Sequence, residues 1–278
     1  MNQEAFPLAI IGGSGLYQIP NLENVREHAI QTPFGSPSAP IITGTMEGTP
    51  IAFLARHGVG HTISPSEINN RANIYALKSL GVQQIVSISA CGSLREDYSP
   101  GNIIIPDQLF DFTLGSRQRS FFEEGLVAHV GTADPYCNNL GDQVAKAAEQ
   151  AGAIVKQGGT LITIEGPRFS TRAESNLFRA WGMSVIGMTA CPEAFLAREA
   201  EICYTTLAHV TDYDVWHINE AAVSVEMVIS TLNQNTEVAQ KIIRILAQNL
   251  VTDPACDCHH ALENALITAR DHIPQETR

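Results

Sequence analysis

Three apolar segments between residues 160 and 214 each lead directly into a polar or charged side chain. They cover residues 160–164, 183–188 and 202–210, and they are followed by Glu165, Thr189 and the segment Thr211–Asp214. Apolar runs of this length, separated by helical patterns, predict the buried strands of an α/β sheet. In an open α/β sheet, ligands bind beyond the carboxyl ends of the strands. The stretch therefore predicts the fold class and the position of a binding site together.

A helix is predicted between the first two of these strands. Thr171 and Glu174 have the spacing of a capping box, in which each side chain bonds the backbone of the other residue. Gly182 is a natural C-terminal stop. The predicted apolar face consists of Ala173, Leu177, Phe178 and Trp181.

The length of 278 residues allows one large α/β domain or two smaller ones. We predict one domain over 1–278, because no repeat, low-complexity segment or linker interrupts the pattern. Beyond residue 216 the pattern is helical, with helices predicted over 221–232, 237–250 and 258–269. The last of these belongs to a C-terminal helical tail over about 251–278.

Composition and charge exclude several classes of function. The net charge of −12 disfavours nucleic acid and anionic membrane surfaces as partners. No segment approaches the ~20 apolar residues that span a bilayer. The acidic N-terminus runs directly into a strand pattern and does not resemble a signal peptide, so we expect a cytoplasmic protein.

Polar groups also follow the earlier predicted strands. Gly12–Gly15 follows the strand at 8–11, Arg56 and His57 follow 50–55, and Ser89 ends 84–89. Glycine turns let backbone N–H groups approach an anion, and arginine offers a planar fork of donors to phosphate. Each feature alone also fits a tight turn or an ion-paired strand end. The glycine turn lacks the dinucleotide-binding fingerprint, which argues against a nicotinamide oxidoreductase.

Cys256 and Cys258 stand close together near the C-terminus, with His259 and His260 following. Metal binding is conceivable, but no third or fourth ligand lies at finger-like spacing. A redox-labile pair and the absence of any function are the alternatives, and we expect no metal. From the residues alone, the four remaining cysteines are interpreted as buried free thiols and His129 as a partly buried histidine with its hydrogen bonds satisfied.

Six ordered motifs resemble the 5′-methylthioadenosine phosphorylases, a branch of the trimeric purine nucleoside phosphorylase family. The motifs are Ile11–Leu16, Ala55–Gly58, Ser89–Glu96, Ile164–Ser175, Gly187–Thr189 with Pro192 and Glu193, and Thr211–Trp216. The likeness runs from about residue 8 to about 250. It implies a single α/β domain with a mixed twisted sheet flanked by helices in three layers. It also implies cleavage of a nucleoside by inorganic phosphate, giving adenine and 5-methylthioribose 1-phosphate, in a homotrimer or an assembly of trimers. Phosphate is then a co-substrate, and no cofactor is implied.

The resemblance also assigns roles to individual residues. The phosphate contacts fall on Ser14, Arg56, His57, Ser89 and Thr189. The nucleoside contacts fall on Ala90, Ser170, Met188, Asp212 and Asp214, with a 5′-methylthio pocket formed by Val225, Val228, Ile229 and a neighbouring subunit's His129. Some relatives carry asparagine where Gly187 stands here, which puts one base-side contact in doubt.

Asp212 and Asp214 are the predicted catalytic residues. A purine leaves more readily when a carboxylic acid of raised pKa supplies a proton or a strong hydrogen bond to N7. Asp212 is the favoured donor because it directly ends an apolar strand, and Asp214 is the second candidate. The alternatives are a relative that prefers 6-oxopurines, in which asparagine is expected on the base, and a non-catalytic nucleoside-binding protein.

Overall fold

A computed structural model describes residues 5–12, 20–115, 117–217, 225–275 and 277, with the backbone alone for 225–235. The strands in this part are β1 Leu8–Gly12, β2 Glu23–His28, β3 Ile41–Met46, β4 Thr49–Ala55, β5 Gln84–Ser93, β6 Ile103–Ile105, β7 Gln108–Phe112, β8 Val155–Gln157, β9 Thr160–Ile164, β10 Val185–Gly187 and β11 Cys203–Asp212. The α-helices are α1 Asn70–Ser79, α2 Asn138–Gln150, α3 Arg172–Ala180, α4 Ala190–Glu199 and α5 Val225–Gln248.

All the strands belong to one mixed sheet. Its main path runs β2-β3-β4-β1-β5-β10-β9-β7, and β11 branches from β5 to carry β6 and β8. The central pairs β4–β1, β1–β5 and β5–β11 are parallel, whereas β5–β10, β6–β11, β2–β3 and β3–β4 are antiparallel. The predicted mixed α/β sheet is confirmed, and its parallel centre brings several carboxyl ends to one edge.

Helices cover both faces of the sheet. On one face α2 and α5 pack on a core that includes Leu140, Val144, Leu207 and Ile243. On the other face α1 and α4 pack on a core formed by residues such as Ile11, Leu77 and Leu196. The three-layer arrangement is therefore also confirmed, and β1, β5 and β11 lie in its middle layer.

Strand β5 continues beyond the predicted end at Ser89. Its first part pairs with β1 and β11, and its last residues turn to pair with β10, where Gly92 faces Ile186. A bulge between Val210 and Asp212 interrupts the β5–β11 ladder. Bulges redirect side chains, and this one sets the direction of Asp212 at the strand end.

The predicted capping box of α3 is present, since Thr171 and Glu174 each bond the other's backbone. Gly182 has a positive φ of 81°, as its role as a stop requires. The predicted apolar face is only partly correct. Phe178 is buried, but Ala173, Leu177 and Trp181 are exposed in the single chain. Trp181 packs against the rings of Phe110 and Phe112, which are themselves at the surface.

Two predicted helix positions were wrong. The sequence Ser64-Pro65-Ser66-Glu67 predicts the start of the first helix, but Ser64 and Glu67 close a separate turn. Asn69 is the actual N-cap of α1, since its side chain accepts from the Ala72 N–H. The helices expected at 221–232 and 237–250 form the single α5 over the residues described.

The predicted helix over 258–269 was also wrong. In the described part of the tail the helical turns are two short 3-10 segments, Asp257–His260 and Arg270–His272. The backbone at 265–267 instead bonds to residues 127–129, so it cannot complete an α-helical ladder. No helix within the described ranges is long and apolar enough to cross a membrane.

Candidate active site

A cavity of about 300 Å³ opens at the carboxyl ends of β4, β5, β9, β10 and β11. Nine of the fourteen predicted site residues line it: Arg56, His57, Ser89, Ala90, Ser170, Met188, Thr189, Asp212 and Asp214. They come from segments separated by more than 150 residues of chain. The parallel centre of the sheet brings them together, as the pattern of strand ends predicts.

The other five predicted residues are not placed in this cavity. Ser14 lies outside the described residues. Val225, Val228 and Ile229 belong to α5, but their side chains are not described. His129 is described and lies elsewhere, exposed, with its backbone N–H donating to the Ala265 carbonyl at 2.8 Å. The interpretation of His129 as a partly buried histidine is therefore wrong for the single chain, in which it is exposed.

Arg56 is fully buried at one end of the cavity, and its fork is already bound. Nε and Nη2 donate to the two carboxylate oxygens of Glu193 at 2.8 and 3.0 Å, and Nη2 also donates to Ser87 Oγ at 2.6 Å. Nη1 donates to the Ile88 carbonyl at 3.2 Å. Since a guanidinium carries five N–H groups, one N–H on Nη1 is left for a ligand. Arg56 can thus offer a single charged donor, not a fork.

Glu193 is a site residue that the sequence analysis did not identify as functional. It is completely buried in α4, holds Arg56, and accepts a hydrogen bond from the Tyr204 hydroxyl at 2.7 Å. A carboxylate among the apolar residues of the first two turns of α4 was the available signal, because an ionised group is buried only when it is paired. Glu193 fixes the position of the Arg56 guanidinium and balances its charge.

His57 lies beside Arg56 as a neutral ring. Burial and the Arg56 charge lower the pKa of His57 to about 4. Nδ1 donates to the Ile63 carbonyl at 2.9 Å, and the ring stacks on His61 with centroids 4.2 Å apart. The remaining nitrogen of the neutral ring, Nε2, can therefore only accept. It suits the P–OH of a hydrogenphosphate, whereas the second donor expected from the sequence requires a protonated ring.

Two hydroxyl groups complete this end of the cavity. Ser89 Oγ on β5 and Thr189 Oγ1 before α4 lie 3.1 Å apart. Thr189 is the N-cap residue of α4, but its side chain does not bond the helix. Both hydroxyls can thus turn a proton toward an anion bound beside them.

Arg117 is a second residue that the sequence analysis missed. It is buried and binds the Glu165 carboxylate through Nε at 3.0 Å. It also donates to the carbonyls of Met188, Cys191 and Glu165 at 2.7–2.8 Å. These carbonyls follow β9 and β10, so Arg117 ties the end of β9, at Glu165, to the segment after β10 that carries Met188 and Thr189. Its place in an irregular excursion gave no sequence signal.

Asp212 and Asp214 lie at the opposite end. Asp212 Oδ1 accepts from the Asp214 backbone N–H and Oδ2 accepts from Thr211 Oγ1, both at 2.7 Å. Burial raises the pKa of Asp212, and these two hydrogen bonds oppose the rise. The predicted direction of this pKa shift is therefore supported.

Asp214 is the less satisfied of the two carboxyl groups. It is 6% exposed, and its Oδ2 has no hydrogen-bond partner in the described part of the chain. Burial raises the pKa of Asp214 to about 6, and the neighbouring Asp212 adds to the rise. Its φ of 52° lies in the left-handed region, which orients a backbone at some cost. Ser170 Oγ, also without a described partner, lines the same cavity.

His209 is the third residue that was missed. It sits within β11, is 2% exposed, and lines the cavity. Neither ring nitrogen has a hydrogen-bond partner within the described residues, and burial lowers the pKa of His209 to about 4. A neutral imidazole in this position offers one donor and one acceptor to a ligand. In the sequence His209 is a histidine inside an apolar strand, and this pattern does not distinguish a ligand-binding histidine from a structural one.

Comparison with known proteins identifies the relationship. Residues 7–248 match the phosphorylase superfamily. The chain is 54% identical over 267 residues to S-methyl-5′-thioadenosine phosphorylase of Chloroflexus aurantiacus, covering 96% of this chain and 93% of that protein. The chain belongs to the S-methyl-5′-thioadenosine phosphorylase family of this superfamily. The resemblance carried by the six sequence motifs is thereby confirmed.

Further relatives agree with this assignment. The enzyme of that name from Hyperthermus butylicus is 52% identical over 264 residues, covering 94% of this chain and 95% of its own. A methylthioadenosine phosphorylase from an antarctic soil metagenomic library superposes with a TM-score of 0.92 at 48% identity, covering 99% and 96% of the two chains. The Schistosoma mansoni enzyme in complex with adenine gives a TM-score of 0.87 at 33% identity, covering 95% and 99%.

Proposed function

We propose that the chain cleaves S-methyl-5′-thioadenosine with inorganic phosphate, giving adenine and 5-methylthioribose 1-phosphate. The observation that carries this proposal is one cavity with two unlike ends. One end gathers the Arg56 N–H, the His57 ring and the hydroxyls of Ser89 and Thr189. The other holds two buried carboxyl groups. A phosphate at the first end and a purine at the second place the sugar between them.

The chemistry requires both ends at once. As the purine leaves, positive charge develops on the sugar, and a phosphate held at the anomeric carbon stabilises that charge and then attacks. Phosphate can accept from Arg56 Nη1, Ser89 and Thr189, while its own P–OH donates to His57 Nε2. Met188 lines the same cavity and is the residue we expect to pack under the sugar.

The two carboxyl groups bind different atoms of the base. With a pKa of about 6, Asp214 is mostly ionised at neutral pH, and its unpartnered Oδ2 accepts from the exocyclic amine of adenine. Asp212 remains the proposed partner of N7. The base reduces access of water to both groups, which raises both pKa values further and favours one shared proton.

We propose a homotrimer in which His129 reaches the 5′ end of a neighbour's nucleoside. Two features support assembly: His129 is exposed in the single chain, and Phe110, Phe112, Leu177 and Trp181 form an exposed apolar patch. Patches of this kind commonly mark interfaces. Val225, Val228 and Ile229 remain the proposed wall of the 5′-methylthio pocket.

Subunit complementation tests the shared site. His129→Ala and Asp212→Ala should each be nearly inactive, and mixing them with subunit exchange should restore part of the activity, since some sites then contain neither change. Asp212→Ala mixed with Asp214→Ala is the matched control, because both changes fall in one chain's cavity. Restoration by both mixtures, or by neither, contradicts the arrangement.

The reaction needs no cofactor beyond phosphate as co-substrate, and the cytoplasmic location expected from the sequence belongs to the same proposal. An adenine-release assay with and without phosphate tests the activity, with S-methyl-5′-thioadenosine, adenosine and methylthioinosine as substrates. We expect phosphate-dependent release that is fastest with S-methyl-5′-thioadenosine. Binding without release would indicate a nucleoside-binding protein, and preference for methylthioinosine would indicate the 6-oxopurine alternative.

A further inference from the structure

Four cysteines meet beside the start of β11, at the core that α2 and α5 cover. Cys137, Cys203, Cys256 and Cys258 place their Sγ atoms within 4.8 Å of one another. Cys256 Sγ lies 3.8 Å from Cys137 Sγ and 3.6 Å from Cys203 Sγ. These are too long for disulfide bonds, in which the sulfurs are about 2.05 Å apart. All four are free thiols.

The spacing fits a tetrahedral metal site. A Zn–S bond of about 2.3 Å implies sulfur atoms about 3.8 Å apart around the ion. The sequence shows only the Cys256–Cys258 half, with no further ligand at finger-like spacing. The fold supplies the other half from the N-cap of α2 and the first residue of β11.

The surroundings suit four thiolates around a cation. Cys137 caps the N-terminus of the 13-residue α2, where the helix dipole favours negative charge. Arg198 Nη1 lies 3.6 Å from Cys258 Sγ and offsets part of that charge. His259 Nδ1 donates to the Glu201 carbonyl at 3.0 Å, which ties the segment that carries Cys256 and Cys258 to the residues just before β11. Sulfur ligands held by such outer contacts are typical of structural metal sites.

We propose that Cys137, Cys203, Cys256 and Cys258 form a structural site for one divalent, thiophilic metal ion, with Zn²⁺ the best match. Three of these side chains are at most 5% exposed, and four protein ligands around a tetrahedral ion leave no open position for catalysis by the metal. Binding replaces the four thiol protons by the ion. The site is separate from the nucleoside cavity, which contains none of these residues.

The site would fasten the C-terminal tail to the sheet. The tail's Ala265 and Ile267 bond the segment at 127–129, which carries His129. The Val127 N–H also donates to Thr268 Oγ1 at 2.9 Å. The metal thus stabilises the support of His129. This link to activity rests on the proposed function, whereas metal binding does not.

Cobalt titration tests the proposal directly. Full-length protein is reduced, stripped with a chelator and titrated with Co²⁺, then with Zn²⁺. We expect the intense sulfur-to-cobalt charge-transfer band and the d–d bands of a tetrahedral thiolate site, saturating at one equivalent and lost on adding Zn²⁺. Absence of these bands from the reduced, folded protein would overturn the proposal, as would disulfides that persist under reducing conditions.

Variants identify the ligands. Cys256→Ser and Cys258→Ser should each weaken Co²⁺ binding by at least about 100-fold, since even outer contacts are worth 10–100-fold. Cys191→Ser is the control, because Cys191 is a buried free thiol that lies outside the cluster. Equal weakening in all three variants, or in none, contradicts the assignment. The wild-type titration decides the matter even where a variant fails to fold.

Discussion

Replacing Asp214 by asparagine should stabilise the folded protein and lower its activity on adenine nucleosides. The carboxyl group is 6% exposed, with one oxygen unpartnered among the described residues, and its pKa is raised from 3.8 to about 6. Burial thus disfavours the ionised form that exists at neutral pH. Asparagine keeps the shape and carries no charge, so it removes this penalty.

The sign and size follow from linkage between protonation and folding. Between about pH 4 and pH 6 the folded state binds more protons than the unfolded state, so the free energy of unfolding falls as pH rises through this window. Raising the pKa from 3.8 to about 6 lowers the free energy of unfolding by about 3 kcal/mol above pH 6. Asp214→Asn should therefore gain about 2–3 kcal/mol at pH 7.5, and this gain should vanish near pH 4.

Denaturant unfolding at pH 4.5, 6 and 7.5 measures the effect. Asp142→Asn, exposed on α2, is the matched control for removing one negative charge from an acidic chain. Activity should move the other way on S-methyl-5′-thioadenosine, falling about 10–100-fold in kcat/KM with the loss of a charge-assisted hydrogen bond of ~1.5–3 kcal/mol. The relative rate on methylthioinosine should rise, since an amide can donate to O6. A stability change that is independent of pH would refute the reasoning.

Three further changes test the site. Arg56→Met should lower the free energy of unfolding by about 3–5 kcal/mol, because it leaves the Glu193 carboxylate buried without its cationic partner. Arg56→Met combined with Glu193→Gln should recover most of that stability and still show a high KM for phosphate. A normal KM for phosphate in the double variant would contradict the role of Arg56 in binding the anion. Arg117→Lys should lower the free energy of unfolding by about 1–3 kcal/mol and reduce kcat/KM. One ammonium group cannot reach the carboxylate and the three carbonyls that the guanidinium binds. Unchanged unfolding curves would contradict this prediction. Gly92→Ala should reduce nucleoside turnover at least ~10-fold with an unchanged circular dichroism spectrum. The added methyl group would lie 3.0 Å from Asp212 Oδ1 and would displace that carboxylate. Gly131→Ala is the control, because no atom lies within 4 Å of its added methyl group.

The positions of the cavity residues were predictable because they depend on strand ends. A buried strand is an apolar run, so its end is visible in the sequence, and parallel strands bring such ends to one edge. Asp212, Thr189, Arg56 and Ser89 were all found in this way, although β5 runs on past Ser89 to pair with β10. Local patterns of this kind also gave the capping box of Thr171 and Glu174.

Contacts between distant segments were not predictable by the same reasoning. Arg56 and Glu193 are 137 residues apart, and nothing near Arg56 shows that its fork is already bound. Cys137 and Cys256 are 119 residues apart, so the pair at 256 and 258 gave no hint of its partners. The failed helix at 258–269 has the same cause, since its backbone bonds a segment more than 130 residues earlier.

The charges of the cavity explain why phosphate and base have to be bound together in the proposed reaction. Glu193 balances Arg56, and His57 is neutral, so the phosphate end offers hydrogen-bond donors with little net positive charge. A bound phosphate dianion is therefore only partly compensated, and its field raises the pKa values of Asp212 and Asp214 above their already raised levels. The acid that the departing purine needs is thus favoured when the nucleophile is in place. The same negative charge stabilises the positive sugar, so one ion promotes both departure of the base and capture of the ribosyl group.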